Sequence, residues 1–350
     1  MKKKSIEFFM VVTNRTIYIA DYCIKSYNSA INKLSTDYNV TLRIFLNCID
    51  KERYQDYLEK WGKINYVKLE YSQLNKSDFK EINGVYSINQ SINQSINQSI
   101  NQSIKRYSMP MLTCDESWDI GLRSSNSDFF VTVDDDFEII QDEFIILMFH
   151  YLERHQKIQI LSVDKTTRHT YYDTYSKQTI DAQERNDTWF CIYRKISDKT
   201  LSHRVVDYFT DKSGKKISYN FESESSDWNN YISEVNKNKA IREVWDSAGW
   251  LQKTIREKYN SNEIICLHDI NSNFKNAYIH YAAYSKNKSI NTPLKTSIYR
   301  YLFIRKSIGL PILPTKINLI VKKIHNKIYK LTFIGATKER QFDNSKSLLD

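Results

Sequence analysis

Short apolar runs rich in β-branched and aromatic residues alternate, over the first part of the chain, with segments whose apolar residues recur every three or four positions. That alternation limits the fold more than any other feature. Residues 5–13 read SIEFFMVVT and residues 41–47 read TLRIFLN, and between them TIYIADYCIKSYNSAINKL has helical spacing. A third strand-like run, INYVKLEY at 64–71, follows the helix-like KERYQDYLEKW. Strand and helix in this order predict an α/β protein with a mostly parallel sheet and helices on its faces. Ligands of such sheets bind beyond the carboxyl ends of the strands, which singles out Thr13, Asn14 and Arg15 after the first run and Asp50 after the second. The 350 residues include 25 Tyr, 16 Phe and 6 Trp, enough apolar surface to exclude a disordered chain.

The most informative stretch is CDESWDIGLRSSNSDFFVTVDDDFEII, which begins at Cys114. It predicts a helix over Glu116–Arg123, a polar turn, and a strand DFFVTV that opens onto Asp134, Asp135 and Asp136. Alternation puts Asp134 and Asp136 on one face and Asp135 on the other. Three adjacent acids repel one another unless a cation compensates them. Carboxylate oxygens are hard ligands that suit Mg²⁺ or Mn²⁺, and such a cation can neutralise a departing diphosphate.

Farther on, QDEFIILMFHYLERHQ reads as a helix and IQILSVD at 158–164 as a strand. Residues 165–188, with Tyr171, Tyr172 and Tyr175, read as a long polar loop, and WFCIYRKI at 189–196 as a strand. These tyrosines and Trp189 can stack on sugar rings or simply pack. The pattern weakens over 197–240, a helix starts near Asp246, and EIICLHD reads as a strand ending on His268 and Asp269.

The opening strand ending VVTNR, the segment SWDIGLRSSNSDFFVTVDDDFE and the later VWDSAGWLQ resemble glycosyltransferases of family 2 and the wider GT-A superfamily, over roughly residues 5–280. The resemblance implies a Rossmann-like α/β/α nucleotide-sugar-binding domain fused to an acceptor-binding portion, within residues 1–285, and the Lys and Arg beyond it read as a basic helical C-terminal extension, residues 286–350. It implies that Thr13, Asn14 and Asp50 hold the nucleotide, with Asp50 near the base or ribose, and Arg15 joins them by its place after the first strand. Asp134 and Asp136 match the diphosphate and metal pair, with Asp135 beside them in the donor site or shaping its field. Asp246, at a helix start, matches the general base of an inverting transfer, with capping of that helix as its other reading and Asp227 as the runner-up base. His268, 22 positions after Asp246, falls where related enzymes place a third metal ligand, and His280 competes for that place. One departure is that the family's Arg-Asn before the helix glycine is here Trp118-Asp119.

The expected activity is transfer of a sugar from a nucleotide-sugar, a UDP-sugar above all, to a lipid-linked or surface glycan such as lipooligosaccharide or capsule. A retaining GT-A transferase, which needs no Asp246 base, and an inactive basic peripheral binding protein are the alternatives. A sugar nucleotidyltransferase is disfavoured, because a Gly-rich phosphate loop after the first strand is missing from a chain with only 7 Gly.

Five scattered cysteines without CxxC spacing suggest neither disulfides nor zinc and point to a reducing compartment. MKKKSIEFFMVVTN reads as a first strand and not a signal peptide, so a cytoplasmic protein is expected. Residues 87–104 repeat Ser-Ile-Asn-Gln, an insertion spanning 86–106. Four codons make a twelve-base period, which CAAT read three times supplies, and slippage of such a tract would shift the frame. Phase-variable expression follows. The net charge of +10 sits in the C-terminal part, where 13 Lys and Arg lie between Lys275 and Lys338 without an acid. Mixed there with Ile, Leu and Tyr, they suit contact with an anionic membrane face. No nucleic-acid fold signature accompanies them, so no nucleic-acid partner is expected.

Overall fold

The computed structural model describes the chain except residues 1, 15, 50–53, 75, 83–84, 89–105, 108–109, 167–168, 174–177, 197, 199–200, 204–205, 211–215, 220–240, 246–247, 262, 275–276, 282–294, 298–299 and 302–350. Arg15, Asp50, Asp227, Asp246, Tyr175, nearly all of the Ser-Ile-Asn-Gln repeat and most of the basic extension therefore lie outside the described residues.

The chain opens β1 (Lys4–Val12), α1 (Ile17–Leu34), β2 (Tyr38–Leu46), α2 (Tyr54–Trp61), β3 (Val67–Tyr71). Three short antiparallel strands follow, β4 (Phe79–Ile82), β5 (Val85–Ile88) and β6 (Arg106–Tyr107). Next come α3 (Cys114–Ser124), β7 (Phe129–Asp134), β8 (Phe137–Ile139), α4 (Glu143–Arg154) and β9 (Ile160–Ser162). A strand-rich stretch contains β10 (Lys165–Thr166), β11 (His169–Asp173), β12 (Gln178–Ala182), β13 (Arg185–Asn186), β14 (Phe190–Arg194), β15 (Val206–Thr210), β16 (Lys216–Tyr219) and β17 (Ile241–Trp245). The last described elements are α5 (Gly249–Lys258), α6 (Leu267–Ile270) and β18 (Tyr278–His280).

The central sheet has six strands in the order β3-β2-β1-β7-β14-β9. β3, β2, β1 and β7 run parallel, as the alternation predicts, and β14 is antiparallel to both of its neighbours. β1 is apolar without alternation at its end because Phe8 to Val12 are all buried, as expected of a strand covered on both faces. Successive side chains feed opposite layers. Phe8 joins Tyr27 of α1 and Phe149 of α4, while Phe9 joins Phe45, Phe130 and, from α3 and α5, Trp118, Leu122, Leu251 and Ile255. α1 buries Ile17, Ala20, Ile24, Tyr27, Ile31 and Leu34, one stripe at helical spacing.

Two expectations are corrected. The polar loop expected over 165–188 forms β10 to β13, with β11 and β12 pairing as a hairpin. The weakly patterned stretch after 197 contains β15 and β16, which join β17, β12 and β11 in a second sheet of five strands. Backbone hydrogen bonds, satisfied locally between neighbouring strands, build this sheet without a marked apolar period.

Candidate metal centre

The carboxyl end of β7 is fixed on both sides. Val11 of β1 lies opposite Asp134, and the Asp134 backbone N–H donates to the Trp189 carbonyl at 3.0 Å. Thr132 ties the same strand to the next segment, its hydroxyl donating to the Thr188 carbonyl at 2.8 Å. After the aspartates the chain turns back as β8, which pairs antiparallel with β18 so that His280 faces Phe137. This pairing brings His280, 144 positions later in the chain than Asp136, onto the aspartates.

The His280 Nε2 lies 3.3 Å from Asp134 Oδ2 and 3.2 Å from Asp136 Oδ1. One ligand atom from each of the three residues falls within 4.8 Å of the others. Trp189 stacks on the imidazole, ring centroids 4.2 Å apart and planes at 29°, which fixes the ring and shields it from solvent. Burial alone would lower the His280 pKa, but hydrogen bonds to Asp134 and Asp136 and their charge together raise it to about 10. The imidazolium thus stands in for a cation between two carboxylates. Two carboxylate oxygens and one imidazole nitrogen, converging from the end of β7, the turn after it and β18, fit a divalent ion of the Mn²⁺ or Mg²⁺ kind, whose binding would displace the His280 proton.

Asp135 faces another way, as alternation predicts. It is 8% exposed and accepts a short hydrogen bond from the Thr16 hydroxyl. Thr16 in turn closes the turn after β1, with its Oγ1 3.2 Å from the Thr13 backbone N–H and 3.0 Å from the Thr13 hydroxyl. Burial, then the Asp136 charge, pushes the Asp135 carboxyl well above the usual range, against the bond from Thr16. Asp135 therefore braces the Thr13–Thr16 turn from within, and through it the aspartate triplet and the turn carrying Thr13 and Asn14 form one edge of the sheet.

His268 is elsewhere. The strand expected around it is reduced to a single parallel bridge between Cys266 and Ser162, and His268 lies in the short helix α6, where Asp269 accepts from the Cys266 backbone N–H at 2.9 Å. His268 Nε2 meets the Tyr278 hydroxyl at 3.1 Å, and the place expected for His268 in the cluster is taken by His280. Sequence carried only a faint sign of this, since the choice depends on the register of β18 against β8 and not on distance along the chain. Trp189, read as a sugar-stacking candidate, has its face on His280.

No protein-family model matches the chain, and no curated protein matches it. Solved structures do. TarS from S. aureus, in its 1–349 form, is similar at 13% identity over 57% of this chain and 50% of that one, with a TM-score of 0.34. Glucosyl-3-phosphoglycerate synthase from Mycobacterium tuberculosis, solved in complex with Mn²⁺, UDP and glucosyl-3-phosphoglycerate, is similar at 12% identity over 45% of this chain and 43% of that one, with a TM-score of 0.27. The chain thus spans half the length or less of each of these structures.

Proposed function

We propose that the chain is a metal-dependent glycosyltransferase of GT-A type, which moves one sugar from a nucleotide-sugar, a UDP-sugar, to a glycan or glycolipid acceptor. The observation that carries this reading is the convergence of Asp134, Asp136 and His280 at the carboxyl edge of a parallel sheet, beside the turn that holds Thr13 and Asn14. In an open α/β sheet this edge is where a nucleotide binds. A divalent ion held there supplies the positive charge that a leaving diphosphate needs.

The chain's own residues have distinct parts in this reading. Asp136 and His280 would hold the cation from the turn between β7 and β8 and from β18, and Asp134 would serve both the cation and the ribose and diphosphate. Asp135 holds the donor-side turn in shape, with Thr13, Asn14, Arg15 and Asp50 around the nucleotide. Transfer forms a bond between the acceptor oxygen and the anomeric carbon and breaks the bond from that carbon to the diphosphate. Asp246 takes the acceptor proton, and attack from the face opposite the diphosphate inverts the anomeric configuration. The acceptor class rests on the basic extension, suited to an anionic membrane, and on the slippage-prone repeat, suited to a variable surface glycan such as lipooligosaccharide or capsule. The enzyme would then work at the inner face of the cytoplasmic membrane.

The test is a donor-hydrolysis screen of the purified protein against nucleotide-sugars with and without Mn²⁺. One UDP-sugar is expected to be hydrolysed only with the metal, and Asp136→Ala or His280→Ala should each lower that rate about 100-fold or more. Calorimetry that finds no metal-dependent binding of UDP would refute the reading.

A further inference from the structure

Behind the metal centre lies a second charged cluster that the transfer itself does not use. Glu138 of β8 is only 3% exposed. Its Oε2 accepts from Arg300 Nε at 2.7 Å and from the Tyr281 hydroxyl at 2.5 Å, and its Oε1 accepts a shorter bond from Arg300 Nη2. Arg300 belongs to the C-terminal part of the chain, which is fastened to α1 at two further points. Its guanidinium lies 4.6 Å from the centre of the Tyr22 ring, and Ser297 Oγ is 2.6 Å from the Tyr22 hydroxyl.

This cluster shares backbone with the metal centre. Tyr281 follows His280 directly, and its backbone N–H donates to the Asp136 carbonyl at 2.9 Å. Glu138 follows Asp136 by two positions. Two of the three residues that converge on the cation site are thus within two positions of a group held by the Arg300 fork. We propose that Arg300, acting through Glu138 and Tyr281, is a positioning residue for His280 and Asp136, so that the C-terminal segment completes the metal centre. The proposal rests on the reading of Asp134, Asp136 and His280 as cation ligands.

The physical case is one of geometry against field. A guanidinium fork fixes a carboxylate in a plane, and Glu138 so fixed offers its remaining lone pair to Tyr281 in one direction only. Without the fork, a buried carboxylate keeps a single hydroxyl donor, and it relaxes by moving toward water or toward the cation, taking the β8–β18 pairing with it. Positioning and simple electrostatics then have opposite signs. Loss of a positive charge near the site should tighten cation binding if only the field matters, and should weaken it if Arg300 holds the ligands in place. Partners that orient metal ligands in this indirect way are commonly worth about 10–100-fold in affinity.

The experiment titrates Mn²⁺ into the full-length protein, with free ion followed by electron paramagnetic resonance, and measures thermal unfolding without metal in parallel. Wild type should bind one Mn²⁺ and His280→Ala should lose it. Failure of either sinks the metal-site reading itself. Given that control, Arg300→Met should weaken Mn²⁺ binding about 10-fold or more, and Arg300→Lys, which keeps the charge and loses the fork, should recover only part of it. Arg300→Met binding as tightly as wild type, or more tightly, overturns the proposal whatever its melting temperature. If Arg300→Met does not melt cooperatively, Tyr281→Phe takes its place: several-fold weaker binding is expected, and unchanged affinity overturns the proposal.

Discussion

Asp119 carries more of the structure than its place in the sequence suggests. It stands in the Trp118-Asp119 pair that departs from the pattern of family 2 glycosyltransferases, and instead of facing a ligand it turns inward, 6% exposed. Its carboxylate accepts from the His203 backbone N–H at 2.7 Å, from His203 Nδ1 at 2.8 Å and, in a shorter bond, from the Ser202 hydroxyl. The His203 carbonyl accepts from the Ala248 N–H at 2.6 Å, and Ala248, with φ of 63°, starts α5 two positions after Asp246. One buried carboxylate therefore ties α3 to the entry of α5. Burial raises the Asp119 pKa, but the bonds from His203 and Ser202 outweigh it and hold the carboxyl below its ordinary 3.8. Because the folded pKa is depressed, the stabilisation is present above the unfolded value and disappears as pH falls through the folded one. Asp119→Ala should cost about 2–3 kcal/mol at pH 7. In urea unfolding the gap to wild type should shrink as pH falls below the ordinary 3.8 and through the lower folded value, and an equal gap at neutral and strongly acid pH would show that Asp119 contributes no ionic bond. The aspartate triplet, by contrast, was legible, because a buried strand leads into it and the period of two assigns Asp135 to its own face. The choice of His280 over His268 was not legible, since it is made by a cross-strand register.

Among the elements, α3 is the one whose sequence and packing agree most closely. Thr113 and Glu116 form a capping box, with the Thr113 N–H donating to Glu116 Oε2 at 2.8 Å and the Glu116 N–H to Thr113 Oγ1 at 3.3 Å. Gly121 then lets the helix settle on β1. A Cβ there would come within 2.6 Å of the Phe9 ring, which is fully buried between Phe45 and Phe130 and has no room to retreat. The Gly121 carbonyl also accepts from Arg43 Nη2 at 2.7 Å, a buried guanidinium that further meets Glu7 at 3.1 Å and Ser124 at 2.8 Å. Gly121→Ala gains helix propensity, yet it must push α3 off the sheet or distort Phe9, and overpacking of this kind costs about 1–3 kcal/mol. A loss of that size in denaturant unfolding is expected, and a variant as stable as wild type would mean that the helix shifts freely. β1 and β7 were readable for the same reason that Phe9 cannot move: Phe8 to Val12 and Phe129 to Val133 are buried on both faces and, apart from Thr132, apolar. β11 and β12, HTYYD and QTIDA, mix polar and apolar residues without a sustained period of two and resemble a loop until their hydrogen bonds are seen. β14 hid its antiparallel direction because strand sense leaves no mark on an apolar run.

At the scale of the whole molecule, the basic stretch and the candidate cation site occupy different parts of one chain. The candidate cation site lies in the α/β body, while the acid-free basic stretch runs from beyond Asp269 to Lys338 and lies largely past Tyr301, outside the described residues. Among the described residues no helix is long and apolar enough to cross a membrane. Basic residues near an anionic surface contribute about 1 kcal/mol each, and salt screens them within a Debye length of about 8 Å at physiological ionic strength. Ser297 and Arg300 fasten onto Tyr22 and Glu138, and most of the basic residues follow Tyr301 in the sequence. Truncation after Tyr301 should therefore leave Mn²⁺ affinity and donor hydrolysis near wild type and abolish sedimentation with vesicles that contain anionic lipid. The full chain should bind those vesicles far more weakly at about 0.5 M salt than at about 0.15 M and should ignore vesicles of neutral lipid alone. Equal binding to both kinds of vesicle, or undiminished binding by the truncated protein, would take the membrane role away from the extension, and the basic stretch would then have to be explained by the body it flanks.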